Sequence, residues 1–555
     1  MTAPVLVGAT RAVDVEATAV PPPPAGAAGV TGAKAATGAA GAALAPTIAA
    51  AIALVAAVTG WRGTDLPAQL YRVTMFHREG FALWDAQWFG GHWALAYSVL
   101  YPPVAATLGV TLTAVLSAAG AALAFDRLLT GRFGRQARAG AVLFAVGTAQ
   151  QLAIGQLAFL MGEAFALGAC WAGARRKWPL AGALALGAAM ASPLAGAFLA
   201  LAGVAFVVAA PPGARARSSA VLVGALAPLA VVAVMFSDPG PFPFSFVDFT
   251  FDVVVAVVML VVAPKGLRLV AALYVAMTVA CFAVHNPVGG NVGRLAECVA
   301  LPYGVCVLWP RRHAVFTVLA VPMALAVWAP AWGSMTGRPA ASASSHRAYY
   351  APLLAVVTGW AGRVEVVPTR YHWEAAYVAP VVPLARGWER QIDIARDPLF
   401  YNGRLDAARY HDWLVERGVQ LVALPDAPLD IAGRAEARLL ETGVPGLAPV
   451  WADAHWQVFA VSGSPGIVSG PARLVRMAAA RIELDVASPG PVMVRVAGGA
   501  HWRVTNGAAC AAAIPDGVVL EAERPGPVEL TIGPGTARCQ VRNAATSSAT
   551  SSARS

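Results

Sequence analysis

Charge is what this chain has least of. Only 13% of its residues are Asp, Glu, Lys or Arg, against 58% apolar ones, and the mean hydropathy is +0.61. Soluble domains carry roughly a quarter charged residues, so the composition excludes an ordinary water-soluble domain and indicates a membrane protein. Lysine is scarcer still, confined to Lys34, Lys177 and Lys265. The net charge of +10 is therefore an arginine excess in an Ala- and Gly-rich composition, and nucleic acid is not an expected partner. Cofactor signatures are missing too. No Walker loop, dinucleotide fingerprint or zinc-ligand spacing occurs, which argues against ATP-driven transport and redox chemistry. No basic start followed by an apolar core opens the chain, so a secretory signal is excluded. Residues 1–37, with Pro21–Pro24, read as a disordered cytoplasmic arm.

Long apolar runs are what is present. Broken by charge, they fall at 38–60, 102–125, 139–154, 157–174, 178–191, 193–210, 218–236, 251–264, 268–284, 295–309 and 314–332, about eleven spans in all. The runs at 178–191 and 251–264 are the weakest, below the roughly 20 residues a crossing needs, and are candidates for broken or re-entrant helices. With the N-terminus in the cytoplasm, the inside loops collect Arg127, Arg132, Arg135 and Arg138; Arg175, Arg176 and Lys177; Arg215 and Arg217; Lys265 and Arg268; Arg311 and Arg312. The outside loops hold Asp238, Asp248 and Asp252, with Arg294 the main basic exception. This positive-inside pattern predicts a multi-pass protein of the cell membrane, with the loop 61–101 and everything after about 333 outside the cytoplasm.

After Trp332 charge becomes frequent and apolar runs shorten to strand length. Residues 333–461 read as an α/β unit, with strands at Val364–Val367, Val419–Leu424 and His455–Val461 and helices at Leu405–Arg417 and Arg434–Thr442, the last closed by Gly443. Residues 462–545 read as a small β-sandwich with strands at Ala480–Val486, Val492–Val496, Trp502–Thr505, Gly517–Glu523 and Val528–Ile532. Residues 546–555 read as a disordered tail. Four cysteines lie in the expected spans; Cys510 and Cys539 are the pair left outside, where an oxidising compartment favours a disulfide worth roughly 3–4 kcal/mol.

The loop 61–101 concentrates the chemistry. Thr64-Asp65-Leu66-Pro67 starts a helix over Ala68–Glu79 that Gly80 ends, with Leu70, Val73, Phe76 and His77 near one face, as in a helix on a membrane surface. Asp65 has two readings: a helix cap, or a cavity-facing carboxylate serving as general base or ligand to a divalent ion. His92 follows Gly90-Gly91, where backbone can approach a ligand, and Trp84, Trp88 and Trp93 suit either sugar stacking or an interfacial belt. Arg294 closes a Gly-rich stretch from His285 at the outside end of a span. It suits an anion, or it snorkels. Glu297, three residues on, is its expected helix-face partner, whereas Glu163 lies in a span with no evident partner and can face a cavity. Arg370–Glu374 and Arg386–Gln391 concentrate charge and aromatics that suit docking onto the helices, with sugar contact as an addition.

An acid just after the first span, a surface helix, the Gly-Gly-His turn and Tyr101-Pro102-Pro103 opening the next span together resemble the GT-C superfamily of membrane glycosyltransferases. The likeness covers roughly residues 38–461 in layout and is strongest over 61–103. Within it the chain looks most like the bacterial integral membrane proteins described as related to 6-pyruvoyl-tetrahydropterin synthase and the YfhO-type proteins. No His-triad zinc site for pterin chemistry is present. The resemblance implies sugar transfer from a polyprenyl-phosphate donor to a glycan or lipid acceptor of the cell envelope. It implies Asp65 as catalytic acid, with Glu79 or Asp85 as a second. His92, Trp88, Glu163 and Arg294 become substrate-binding candidates, Arg294 for the leaving phosphate. A divalent cation, Mg or Mn, is an optional cofactor, with Asp65 its candidate ligand. Two other readings compete: a secondary transporter, which requires two related halves, and a non-catalytic envelope scaffold whose outer domain binds carbohydrate or lipid.

Overall fold

The computed structural model describes residues 27–533 apart from 96, 237–239, 361 and 516. The described residues before Leu44 belong to a unit of their own, and from Leu44 onward the described chain forms one compact unit. The expected tail, Cys539 and Asp238 lie outside the described residues.

Ala- and Leu-rich runs favour helix, and in an apolar surrounding a helix is the form that satisfies its own backbone groups. The chain accordingly begins with α1 (Ala27–Val58), α2 (Leu66–Glu79), α3 (Tyr101–Leu108), α4 (Val110–Phe133), α5 (Arg138–Ile154), α6 (Leu157–Ala174), α7 (Trp178–Ala191), α8 (Pro193–Ala209), α9 (Arg215–Met235), α10 (Phe246–Val262), α11 (Arg268–Ala283) and α12 (Arg294–Thr336). Every apolar run falls on helix. Seven helical stretches are long and apolar enough to cross a membrane: Gly41–Val58, Val110–Phe133, Leu157–Ala174, Pro212–Met235, Lys265–Ala283, Gly289–Trp309 and Arg312–Ala341. α7 and α8 are apolar but shorter. Small residues set the packing. α7 presents buried Ala181, Ala185 and Ala188 to Val221 and Ala225 of α9, and a Cβ added at Gly224 would lie 3.0 Å from that of Ala185.

Four boundaries differ from expectation. The last part of the proposed disordered arm is helical, because α1 starts at Ala27. The run at 102–125 is broken at Gly109 (φ +85°), so that α4 carries on to Phe133 and takes in Asp126 and Arg127. α10 starts early, capped by Ser245, which draws Asp248 and Asp252 into the helix. α12 spans both of the last two runs and kinks at Arg312 (φ −142°, ψ 50°).

The sheet region follows: α13 (Arg347–Val357), β1 (Arg363–Val366), α14 (Glu374–Tyr377), α15 (Arg390–Arg396), α16 (Ala407–Glu416), β2 (Val419–Pro425), α17 (Arg434–Thr442), β3 (Leu447–Ala452) and β4 (Trp456–Val461). The sheet order is β1-β2-β4-β3, with β1 parallel to β2 and the other pairs antiparallel. Eight short strands complete the chain: β5 (Val468–Ser469), β6 (Ala472–Met477), β7 (Arg481–Val486), β8 (Gly490–Val494), β9 (Trp502–Asn506), β10 (Ala509–Ile514), β11 (Gly517–Ala522) and β12 (Gly526–Ile532). They form two four-stranded sheets, β10-β11-β8-β5 and β6-β7-β12-β9, around one core that includes Ile482, Leu484, Val494, Leu520 and Leu530. Cys510 is disulfide-bonded, and the four cysteines of the helical region are free.

One buried cation holds the first sheet together. Arg386 donates to Asp393 through Nε (2.9 Å) and Nη2 (2.5 Å), reaches Glu436 at 3.3 Å and Glu365 at 3.7 Å, and lies 4.0 Å over the Phe400 ring. Burial pushes the Glu365 carboxyl well above the usual range and that of Glu436 up to about 7. Arg386→Met leaves these acids with no cation and is expected to cost about 3–5 kcal/mol near neutral pH. Raised carboxyls are stabilising while protonated and lose that stability as pH rises, so the loss should be greater at pH 8 than at pH 5. Hydrogen-exchange protection of β1 and β2 measures it; equal protection in both proteins would contradict this role.

Candidate functional site

A cavity of about 660 Å³ lies where the apolar helices meet the sheet region. Three parts of the chain build it. α2 supplies Gln69 and Arg72 one and two turns beyond Asp65, a single polar stripe at i, i+4 and i+7. The helices supply Gln156, Phe159, Leu194, Leu229, Val232, Phe236 and Val288, with Asn291 and Arg294 at the start of α12. The sheet region supplies Trp388, Glu389, Arg390, Gln391 and Ile392. The result is polar at one end and apolar along the other.

Asp65 occupies the cap position of α2 but accepts no capping hydrogen bond. Its backbone N–H donates to Ile154 (2.9 Å), and its carboxylate lies 3.9 Å from Arg294. The capping reading therefore fails, and the pairing of Asp65 with Arg294 is the one sequence-derived juxtaposition that the fold brings about. Burial pushes the Asp65 carboxyl above its usual range, against the pull of Arg294, His372 and Gln156. Arg294 also sits 5.6 Å over the Phe159 ring. Glu297 is not its ion-pair partner; it accepts from Gln150 (3.0 Å). Glu163 is buried and accepts from Gln151 (2.8 Å), away from the cavity wall.

The remaining loop candidates bond within the loop or to the sheet region. Glu79 accepts from the Ala479 N–H (2.6 Å), and burial pushes its carboxyl up. Asp85 accepts from Tyr71 Oη (2.7 Å) and the Gln87 N–H (2.9 Å); burial, opposed by these bonds, raises it too. Neither lines the cavity. Trp88 is buried and stacks on Tyr71 at 4.5 Å. Trp84 packs edge-on against Trp93 (4.2 Å) and Trp502 (5.4 Å), and Trp93 stacks on His501 (3.7 Å). His92 accepts from Arg396 Nε (3.0 Å). The close approach expected at Gly90-Gly91 is to the sandwich: the Ala497 N–H donates to Gly90 (2.8 Å), and a Cβ at Gly91 would meet Val496 at 2.6 Å. α2 is likewise clamped. It buries Tyr71, Arg72 and Met75, while His77 of the expected apolar face is exposed.

The Arg386–Gln391 segment both docks and lines. Trp388 Nε1 donates to the Thr64 carbonyl (2.6 Å), next to Asp65, and Glu389 pairs with the buried Arg72. Behind Trp388 stacks His372 (3.5 Å between rings), held at φ +54° between Glu374 (3.2 Å) and Asp430 (3.5 Å). Burial pulls this imidazole down, yet its bonds to Asp430 and Glu374 outweigh that and hold it above its ordinary value. Arg390 makes two 2.8 Å bonds to Asp430. Gln69 and Arg72 were overlooked in the sequence; the i, i+4, i+7 stripe from Asp65 was the available signal.

No three His, Cys, Asp or Glu side chains gather to hold a metal among the described residues. The carboxylates on the cavity wall are Asp65, which faces Arg294, and Glu389, which Arg72 holds. This set does not form a divalent-cation site, and no step below runs through one. No protein-family model and no curated protein matches the sequence.

Because Gly91 has φ +81° and no room for a side chain, Gly91→Ala should loosen the sandwich from the loop, at about 1–3 kcal/mol. Faster proteolysis or hydrogen exchange across residues 84–93 is the expected result; unchanged exchange would show that this contact does not hold the interface.

Proposed function

We propose that the protein is a GT-C-like membrane glycosyltransferase that moves a sugar from a polyprenyl-phosphate donor to a cell-envelope glycan or lipid. In this reading the apolar helices cross the cytoplasmic membrane about eleven times, and the loop 61–101 and the sheet region stand outside the cytoplasm. The disulfide at Cys510 suits that compartment.

The observation that carries the proposal is Asp65 facing Arg294 at the polar end of a cavity whose other walls are apolar. A lipid-linked phosphosugar has the same two-part character. Its isoprenoid chain matches Phe159, Leu194, Leu229 and Val232, and its phosphate matches the guanidinium of Arg294. Gln69, one turn beyond Asp65 on the same wall, places an amide beside the sugar position.

The chemistry then needs two groups. Asp65, as carboxylate, takes the proton of the acceptor hydroxyl while that oxygen attacks the anomeric carbon. The bond from that carbon to the phosphate oxygen breaks, and Arg294 stabilises the departing phosphate. Trp388 and Gln391 wall the acceptor side, where binding aligns the attack.

Asp65→Asn keeps the shape and removes the base, so transfer in vitro should fall by about 10²–10⁴-fold with expression unchanged. Full turnover by this variant would refute the assignment. The base must be ionised to act, and burial raises its pKa. The acid limb of the rate profile should therefore lie above the ordinary carboxylate value of about 4 and rise further in Arg294→Gln, which removes the lowering charge. An acid limb unmoved by that substitution would show that Asp65 is not the titrating base.

A further inference from the structure

A second cavity, of about 690 Å³, is a trough between α4 and α6. Its floor is made of small residues, Ser117, Gly120 and Ala124 of α4 and Ala164 and Gly168 of α6, and its rims are apolar, with Leu116, Leu123 and Phe165. Along α4 it runs from Thr113 to Arg127, about 21 Å of helix, longer than the ~15 Å depth of one leaflet. It opens on a different face of α6 from the Asp65 cavity. Met161 lines the trough, and Phe159, two residues and about 200° away round the helix, lines the other cavity.

The two ends of the trough differ in charge. Val104 and Leu108 close one end. At the other, Arg127 and Trp171 line the wall, and Arg175 (5.7 Å) and Lys177 (5.8 Å) lie over the Trp171 ring. The turn between them holds Arg176 at φ +56°, an unfavourable conformation for a non-glycine residue, and both neighbouring cations face one indole. Arg127, Arg175 and Lys177 are all solvent-exposed. Asp126 beside Arg127 is buried at 2% exposure, within the field of Arg138 as well. The Trp171 Nε1 donor has no hydrogen-bond partner.

We propose that this trough is a binding site for one anionic phospholipid. An acyl chain lies over the small-residue floor, and the phosphate sits among Arg127, Arg175, Lys177 and the Trp171 indole. The inference rests on the helices spanning a membrane, but not on the sugar-transfer reading. The occupant is specified by charge: an apolar trough alone would take any lipid, whereas Arg127 on its wall, with Arg175 and Lys177 over the wall residue Trp171, makes one end cationic and selects an anionic headgroup. α6 would be braced on the face opposite the one that carries Phe159 beneath Arg294.

The test is native mass spectrometry of the full chain in detergent, with phosphatidylglycerol and phosphatidylcholine of identical acyl chains as probes. Wild type should retain one phosphatidylglycerol about tenfold more strongly than phosphatidylcholine, and inorganic phosphate should not displace it. The triple variant R127Q/R175Q/K177Q should bind both lipids equally. Gly120→Phe, which fills the floor, should lose both, while lipid-free melting temperatures of the two variants, read by tryptophan fluorescence, stay near wild type. Equal retention of the two lipids by wild type would overturn the proposal. So would a phosphatidylglycerol preference that survives the triple substitution, or displacement by inorganic phosphate. If a variant melts early, phosphatidylglycerol against phosphatidylcholine protection of wild-type α4 and α6 in hydrogen exchange decides the matter in its place: selective protection supports the site, and equal protection refutes it.

Discussion

Asp65 is a carboxylate only partly covered by protein, with 32% of its side chain exposed, and the structure around it leaves it loosely paired. Its nearest cation is Arg294 at 3.9 Å, a separation too long for a tight hydrogen-bonded pair, and the His372 imidazole adds a weaker pull. The other charged groups on the same cavity wall are already answered. Arg72 pairs with Glu389, and Arg390 makes two bonds to Asp430. The wall thus closes two charge pairs tightly and leaves the third loose at one point, between Asp65 and Arg294. Holding that point requires groups far apart in sequence: the backbone of Ile154 behind Asp65, the indole of Trp388 on Thr64, and the start of α12.

The loop 61–101 makes this arrangement possible by joining two incompatible surfaces. Apolar helices lie on one side and charged sheets on the other, and the loop is rich in aromatics because it must bond to both. Trp93 shows the principle. Its ring stacks on His501 from the sheets and on Phe236 at the end of α9, and its Nε1 donates to the Met235 carbonyl (2.6 Å). Trp84 and Trp88 are buried by ring packing alone, their indole N–H groups having no hydrogen-bond partner among the described residues. An amphipathic ring serves best where one edge needs a polar partner and the rest needs burial.

This explains which parts of the molecule were legible in the sequence. Long apolar runs all fell on helix, because composition alone decides that much, but not their breaks: the run at 102–125 divides at Gly109 and the last two share α12. Arg434–Thr442 and Val419–Pro425 were legible from helical spacing, a glycine stop and a β-branched run. β6 and β10 were not: Val475 in β6 is exposed, which breaks the alternation, and Ala509–Ile514 is mostly alanine, with little strand preference of its own. At the site, Asp65 and Arg294 were individually visible, each as an acid or base where the pattern disfavours one. Glu79, Asp85, His92 and Trp88 were equally visible but lie off the cavity wall, Asp85 bonded within its own loop and Glu79 and His92 to the sheet region, because residue type does not say whether a partner arrives from four hundred residues away, as Ala479 does for Glu79.

Subtracting the docking groups narrows what the cavity can recognise. Had the tryptophans and both extra acids faced it, a sugar-stacking platform with two carboxylates would have been the reading. Instead the polar end offers one carboxylate, one loosely held guanidinium, the Gln69 amide and the Trp388 edge. For the transfer proposed, this favours a donor whose leaving group carries a single phosphate over a diphosphate, since a second phosphate would need another cation and Arg72 and Arg390 are already paired. In the same proposal Trp388–Ile392 takes part in discrimination between acceptors, because this segment supplies the polar wall that faces Asp65 from the sheet region. The sheet region then acts on the reaction through the same segment that docks it, so the geometry of the interface and the choice of acceptor are not separable properties.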